Sequence, residues 1–161
     1  PYSTVIGIDG SAEMLHVAKE RARKFDLIKG SKGIKYLNLD VGSFSNGKFI
    51  LDAPADLLVS NSLLHHLHDP SRFWLALQNL GSKGSVIFHR DLRRPLTREK
   101  AIRLLEKHHS TAHSILKKDF LASLHASFTV DEVKAQLKST GLHQLKVFEV
   151  DDRYLEIVGV L

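Results

Sequence analysis

A doubly wound α/β fold, with a mostly parallel sheet that closes in an antiparallel hairpin, is what three features of the sequence predict. The first is Val5-Ile6-Gly7-Ile8-Asp9-Gly10-Ser11, a short β-branched run that ends on a carboxylate and turns straight into a helix-forming stretch. The second is the alternation of such runs with segments of helical periodicity, the pattern of a parallel sheet covered by helices on both faces. The third is the end of the chain, where two apolar runs are separated only by Asp151-Asp152-Arg153. A connection that short cannot carry a parallel crossover, so the last two strands must be antiparallel.

Each element has a local signal. Thr4 to Asp9 reads as a strand. Ser11 then caps a helix whose apolar positions Met14, Leu15, Ala18 and Ala22 recur at helical spacing. Ile34 to Leu39 and Ala55 to Ser60 are the next strands, and Asn61 to Asp69 is a loop. Asp69-Pro70 starts a helix, with a carboxylate at the cap and Pro at the first helical position. Phe73, Trp74, Leu77 and Leu80 line that helix, and Gly81 stops it. Ser85 to His89 is a fourth strand, followed by helices over Thr97 to His108 and Ser114 to Leu124. Thr129-Val130-Asp131-Glu132 matches a capping box, and Gly141 ends the helix that it opens. Leu145 to Val150 and Tyr154 to Val160 form the closing pair.

Size and composition describe one ordinary globular domain over residues 1–161. The chain has 43% hydrophobic and 25% charged residues and no Pro-, Gly- or Ser-rich linker. Cysteine is absent, which excludes disulfides, thiolate zinc sites and a Cys nucleophile and fits a reducing, cytoplasmic setting. No apolar run approaches the roughly 20 residues of a membrane span. The net charge of +5 is densest along Lys19, Arg21, Arg23, Lys24, Lys29, Lys32 and Lys35. A solvated helix face is the first reading of that stretch, and a phosphate-contacting surface the second.

In doubly wound domains, a carboxylate at the carboxyl end of a strand such as Asp9 holds a nucleoside ribose. Such domains normally carry an earlier strand and a Gly-rich turn some twenty residues upstream, and only eight residues precede Asp9. The first strand is therefore expected to be absent, and the chain, which starts at Pro1 rather than Met, is expected to be truncated at its amino terminus.

Gly7-Ile8-Asp9-Gly10-Ser11-Ala12-Glu13-Met14-Leu15, Leu39-Asp40-Val41 and Ala55 through Leu67 together resemble the class I S-adenosylmethionine-dependent methyltransferases, a Rossmann-like family. The resemblance continues through Phe73, Leu77, the Gly81-Ser82-Lys83-Gly84-Ser85 turn, Ser127-Phe128-Thr129 and Leu155-Glu156-Ile157-Val158-Gly159. It implies transfer of the sulfonium methyl of S-adenosylmethionine to an acceptor. Asp9 with Gly10 would hold the ribose, Asp40 and the Val41 amide the adenine, and Met14 would lie beside the adenine. Ser60 and Asn61 would face the amino acid part of the cofactor. In this family the absent strand lies mid-sheet, so the strands beginning at Thr4 and Ala55 are expected to present unpaired edges unless they meet directly.

A general base is needed only for a weakly acidic acceptor, and His65 and His66 are the candidates. His65, His66, His68 and Asp69 also invite a metal reading, but neither a helical pairing of ligands nor a thiolate supports it, so no metal is expected. Arg90, Asp91, Arg93 and Arg94, with Arg98, are candidates for meeting an acidic substrate, since guanidinium forks suit carboxylate or phosphate, against surface salt bridging. A small-molecule acceptor is the first expectation for a partner, and a nucleic acid such as tRNA the alternative that the basic charge allows. Two other classes compete: a nicotinamide-dependent oxidoreductase fragment, and a non-catalytic interaction module on the same scaffold.

Overall fold

The computed structural model describes residues 4–24, 33–41 and 51–161; Lys29 and Lys32 of the basic stretch lie outside them. Its strands are β1 (Val5–Asp9), β2 (Ile34–Asn38), β3 (Leu57–Asn61), β4 (Val86–Leu92), β5 (Lys146–Val150) and β6 (Tyr154–Val160). Its helices are α1 (Ala12–Lys24), α2 (Pro70–Leu80), α3 (Arg98–His109), α4 (Ser114–Ala126) and α5 (Val130–Ser139), with a 3-10 turn at Leu64–His66.

Among the described residues the strands form two sheets. β1 pairs β2 in parallel, and a four-stranded sheet runs β3-β4-β6-β5. β3 and β4 are parallel, whereas β4, β6 and β5 are antiparallel, with Val150 opposite Tyr154 across the closing turn. The expected α/β fold with an antiparallel end is present, but its sheets are mixed and not mostly parallel: among the described residues two strand pairs are parallel and two antiparallel, because the closing hairpin adds β6 and β5 in antiparallel order, and β1 and β3 fall in separate sheets. Those two strands do not pair with one another, and each leaves an edge without a sheet partner among the described residues.

The helix signals act as the local chemistry dictates. The Asp69 carboxylate accepts from the Ser71 amide ahead of Pro70. Thr129 and Glu132 form both halves of the capping box. Gly141 takes φ +77°, a conformation that costs a residue without a Cβ little. At Gly81 the reason is space, because a Cβ there would lie 2.6 Å from Leu161 Cδ1.

One face of the four-stranded sheet carries the main core. Phe73, Trp74 and Leu77 of α2 and Val133 and Leu137 of α5 pack over Ile87, Leu155 and Ile157. The Trp74 indole N–H donates to Gln136 Oε1 at 3.0 Å, tying α2 to α5. α2 also supports the smaller sheet, since Ile8 and Leu39 pack around Ala76 and Leu80 together with Leu58 of β3. A second core joins Leu92, Ala101, Leu104 and Leu124, bringing α3 and α4 beside the carboxyl end of β4. The opposite face of the four-stranded sheet is apolar and open: Leu57, Val59, Val86, Phe88 and Val160 are exposed, Val59 by 62%.

β4 departs from the sequence reading by continuing three residues past His89 to Leu92. That extension carries Asp91 into the core face beside Ile87 and His89, at the strand end where the site is built.

An unpaired strand edge has no ladder to protect its amides. The gap-facing amides of β1 and β3 are expected to exchange with deuterium orders of magnitude faster than those of β4 and β6, which are paired on both sides. Equal protection of the two sets, read residue by residue, would contradict this arrangement.

Candidate functional site

The residues that the sequence singled out gather along the carboxyl ends of the parallel strands. Asp9 closes β1, and its Oδ1 accepts from the Ser11 amide at 2.8 Å, so the carboxylate caps α1. Oδ2 has no bond among the described residues. The Asp9 carbonyl accepts from the Leu39 amide at 3.1 Å and from Asn38 Nδ2 at 3.0 Å. Those bonds bind the end of β1 to the end of β2, and Asp40 and Val41 follow at once on the same edge. Asp40 is exposed, whereas Val41 is half-buried against both core clusters beside α2. Gly10 and Met14 are exposed, Met14 by 56%, although its place on a helix with an apolar stripe would more often put it in a core.

The second group sits where β3 and β4 end. Asn61 is exposed, and its Nδ2 donates to Ser62 Oγ at 3.2 Å. Ser62 adopts φ +53°, a left-handed conformation uncommon for a residue with a side chain and enriched at functional turns. Its amide donates to the Arg90 carbonyl at 2.9 Å, so the chain leaves β3 by a sharp turn into Leu64–His66.

Asp91 holds that turn. Its side chain is 2% exposed and accepts from the Leu63 amide at 2.9 Å, the Leu64 amide at 2.6 Å, the Leu92 amide at 2.7 Å and His65 Nδ1 at 2.5 Å. Burial by itself raises the Asp91 pKa. The hydrogen bond and charge of His65, the charge of His89 and the Leu64 amide outweigh it, so the carboxyl titrates below its ordinary value. His65 is buried, and its ring lies 4.0 Å from that of the exposed His66. The His66 pKa is lowered, first by desolvation and then by the charge of His65.

His89 completes the cluster. Its ring is enclosed by Phe73 and Trp74, with centroids 5.0 and 6.3 Å away. Its Nδ1 is hydrogen-bonded to Ser60 Oγ. Burial pushes its pKa down to about 4, the charge of Asp91 offsetting only part of the effect. Sequence reasoning grouped Asp91 with the arginines around it, not with the turn after β3, and did not place His89 in the site. Their one legible signal was two polar residues at alternate positions beyond Ile87 in a strand.

Arg90, Arg93 and Arg94 each meet a carboxylate. Arg90 is bound to Glu156, Arg94 to Glu132, and Arg93 lies 3.4 Å from Glu149. Among the described residues, His65, His66, His68 and Asp69 do not form a group able to hold a metal ion. No helix among them is long and apolar enough to cross a membrane.

With this geometry in view, comparison with known proteins is specific. A family model described as a methyltransferase domain matches residues 1–88, more than half of the chain. Among solved structures, a SAM-dependent methyltransferase from Aquifex aeolicus is similar at 15% identity and TM-score 0.61, over 97% of this chain and 68% of that one. The plantazolicin methyltransferase BamL, in complex with a triazolic desmethylPZN analog and SAH, is similar at 16% identity and TM-score 0.68, over 97% and 68%. A possible exported protein from Bordetella parapertussis is similar at 18% identity and TM-score 0.66, over 98% of this chain and 53% of that one. At these identities the likeness is one of fold, and the chain spans between about half and two thirds of the length of these neighbours. No curated protein matches the sequence.

The cluster sets a pH dependence. His89 stays neutral in the fold at pH values where an unfolded histidine, with a pKa of about 6.5, is protonated. The unfolded chain then binds more protons, so stability falls as pH drops from about 6.5 toward 4. From pH 7 to pH 5 this amounts to roughly 2 kcal/mol. Asp91, whose pKa is lowered, adds stability that is present above the unfolded carboxylate value and lost as pH falls through its folded one. Urea titrations at the two pH values should show the loss in the wild type and a smaller loss in His89→Phe. Asp91→Asn should be destabilised by about 3 kcal/mol at pH 7, because the turn amides lose a charged acceptor. An unchanged pH difference in His89→Phe would remove the histidine from this account.

Proposed function

The chain belongs to the methyltransferase domain family, and from that premise we propose that it binds S-adenosylmethionine along the carboxyl edge of β1, β2 and β3 and directs methyl transfer to an acceptor beside the Leu64–His66 turn. The observation that carries the reading is the placement of Asp9, Asp40 with Val41, and Ser60 with Asn61 at successive strand ends on one edge.

The donor chemistry fits the cofactor. Asp9 has Oδ2 uncommitted among the described residues and Oδ1 engaged only by the Ser11 amide, so an acceptor-only group faces the position of a vicinal diol. Asp40 is exposed where a carboxylate would accept from an exocyclic amine, and exposed Met14 offers an apolar, polarisable surface to the flat face of a base. Ser60 and Asn61 lie where the amino acid part would end. When bound, the cofactor supplies an already activated methyl group, so the protein's task is alignment and exclusion of water.

On the acceptor side, His65 and His66 are the residues able to take a proton from a hydroxyl or ammonium acceptor. His66 is the exposed one, and His65 behind it is oriented by Asp91. α4 packs against this turn, so α3 and α4 form the wall on the acceptor side. BamL, crystallised with a triazolic desmethylPZN analog and SAH, supports the choice of a small molecule as acceptor over nucleic acid. Arg90 near the end of β4 and Arg93 and Arg94 just after it are held by carboxylates of β6, β5 and α5, so they brace those elements first and meet an acidic substrate only by exchanging those partners.

Calorimetric titration with S-adenosylhomocysteine tests the reading. The full chain should bind it, and Asp9→Ala should weaken binding by about tenfold to a hundredfold, the worth of charge-assisted hydrogen bonds. Binding of NAD in its place would favour an oxidoreductase, and a folded chain that binds neither would favour a non-catalytic scaffold.

A further inference from the structure

Ser60 sits at the end of β3, half-buried, and its hydroxyl has a single proton to give. Where that proton points decides what the residue can recognise. Its partner is His89 Nδ1, so the question becomes which nitrogen of His89 carries hydrogen.

The surroundings of the ring settle the choice. His89 is 1% exposed and its pKa is lowered to about 4, so at neutral pH it holds one proton, not two. Nε2 has no hydrogen-bond partner and lies 3.6 Å from Asp91 Oδ2. That separation is beyond a hydrogen bond but well within the range of strong electrostatics in a buried site. Asp91 is ionised, and its oxygens already accept from three amides and from His65. A nitrogen lone pair facing that oxygen would be repelled, whereas an N–H facing it is attracted. The Ser60 carbonyl also draws a ring proton toward itself, but it is a neutral acceptor, and the full charge on Asp91 outweighs it. The proton therefore resides on Nε2. Nδ1 is left as an acceptor, and the Ser60 hydroxyl must donate to it.

We propose that His89, with its tautomer set by Asp91, is a positioning residue that commits the Ser60 proton inward and so makes Ser60 an acceptor of hydrogen bonds from the bound cofactor, selecting its ammonium group. The inference rests on the cofactor reading above. Ser60 Oγ, its proton committed, offers only lone pairs to a ligand at the strand end. The α-amino group of S-adenosylmethionine, a cation with three donors at neutral pH, is the part of the cofactor that matches them. His89 touches neither cofactor nor acceptor; it acts through Ser60.

Two measurements on the full chain test this. Long-range proton–nitrogen correlation spectra of histidine-labelled protein report the tautomer without any ligand. His89 is expected as the Nε2–H form, unchanged between pH 6 and 8 and unchanged in Ser60→Ala; an Nδ1–H form overturns the proposal. The second is the ratio of affinities for S-adenosylhomocysteine and its analogue lacking the amino group. The wild type should favour the amine by about tenfold, Ser60→Ala should lower the ratio to near one, and His89→Phe should lower it also. If His89→Phe does not fold, Ser60→Ala still decides. A ratio that Ser60→Ala leaves untouched overturns the proposal while S-adenosylhomocysteine binding and its loss in Asp9→Ala stand. Absence of all binding by a folded chain with the Nε2–H tautomer overturns the proposal by removing the cofactor reading beneath it.

Discussion

A carboxylate buried under a sheet is unfavourable unless every oxygen lone pair finds a donor and some positive potential lies close by. Asp91 meets both conditions by recruiting the amides of Leu63, Leu64 and Leu92 together with His65. The shape of the region follows from that requirement. The chain can leave β3 only by bending back through Ser62 so that two amides of the next turn reach Asp91. His65 is then buried, His66 is left outside it, and His89 is held neutral in its aromatic enclosure. Without the charge on Asp91, neither the turn nor the histidine orientations would have a reason to persist.

That arrangement depends in turn on α2. Trp74 and Phe73 exclude water from His89, which strengthens its electrostatic interaction with the buried Asp91. The same helix carries Ala76 and Leu80, which receive Ile8 from the smaller sheet and Leu58 from the larger. α2 is thus the element that packs against both β1 of the smaller sheet and β3 of the larger, although among the described residues no hydrogen bonds of a common ladder join them. α5, joined to α2 by the Trp74–Gln136 bond and to the end of β4 by the Arg94–Glu132 pair, steadies this support from the other side.

Much of this was legible in the sequence because its signals are local. Asp69-Pro70, the Thr129-Glu132 box and the three-residue link before Tyr154 each express chemistry contained within a few residues, and each forms as read. What was not legible depends on residues far apart in sequence. In β4 the inward positions are Ile87, His89 and Asp91 and the outward ones Val86 and Phe88, so polarity runs opposite to the usual inside and outside. Only the donors from Leu63 to His65 make an inward Asp91 acceptable, and no window around β4 contains them. Likewise, the partners of Arg90, Arg93 and Arg94 come from β6, β5 and α5, brought close by the closing hairpin and its preceding helix.

The open apolar face of the four-stranded sheet bears on how the molecule behaves in solution. In register across β3, β4 and β6, Leu57, Val86 and Val160 make one row, and Val59 beside Phe88 makes the next. An ordered apolar array of that kind attracts its own likeness, and the charges in register with it, Lys146 opposite Val158 and the Arg90–Glu156 pair, stand only at its margin. Self-association of this protein is therefore set by how those rows are shielded as well as by the strength of its core.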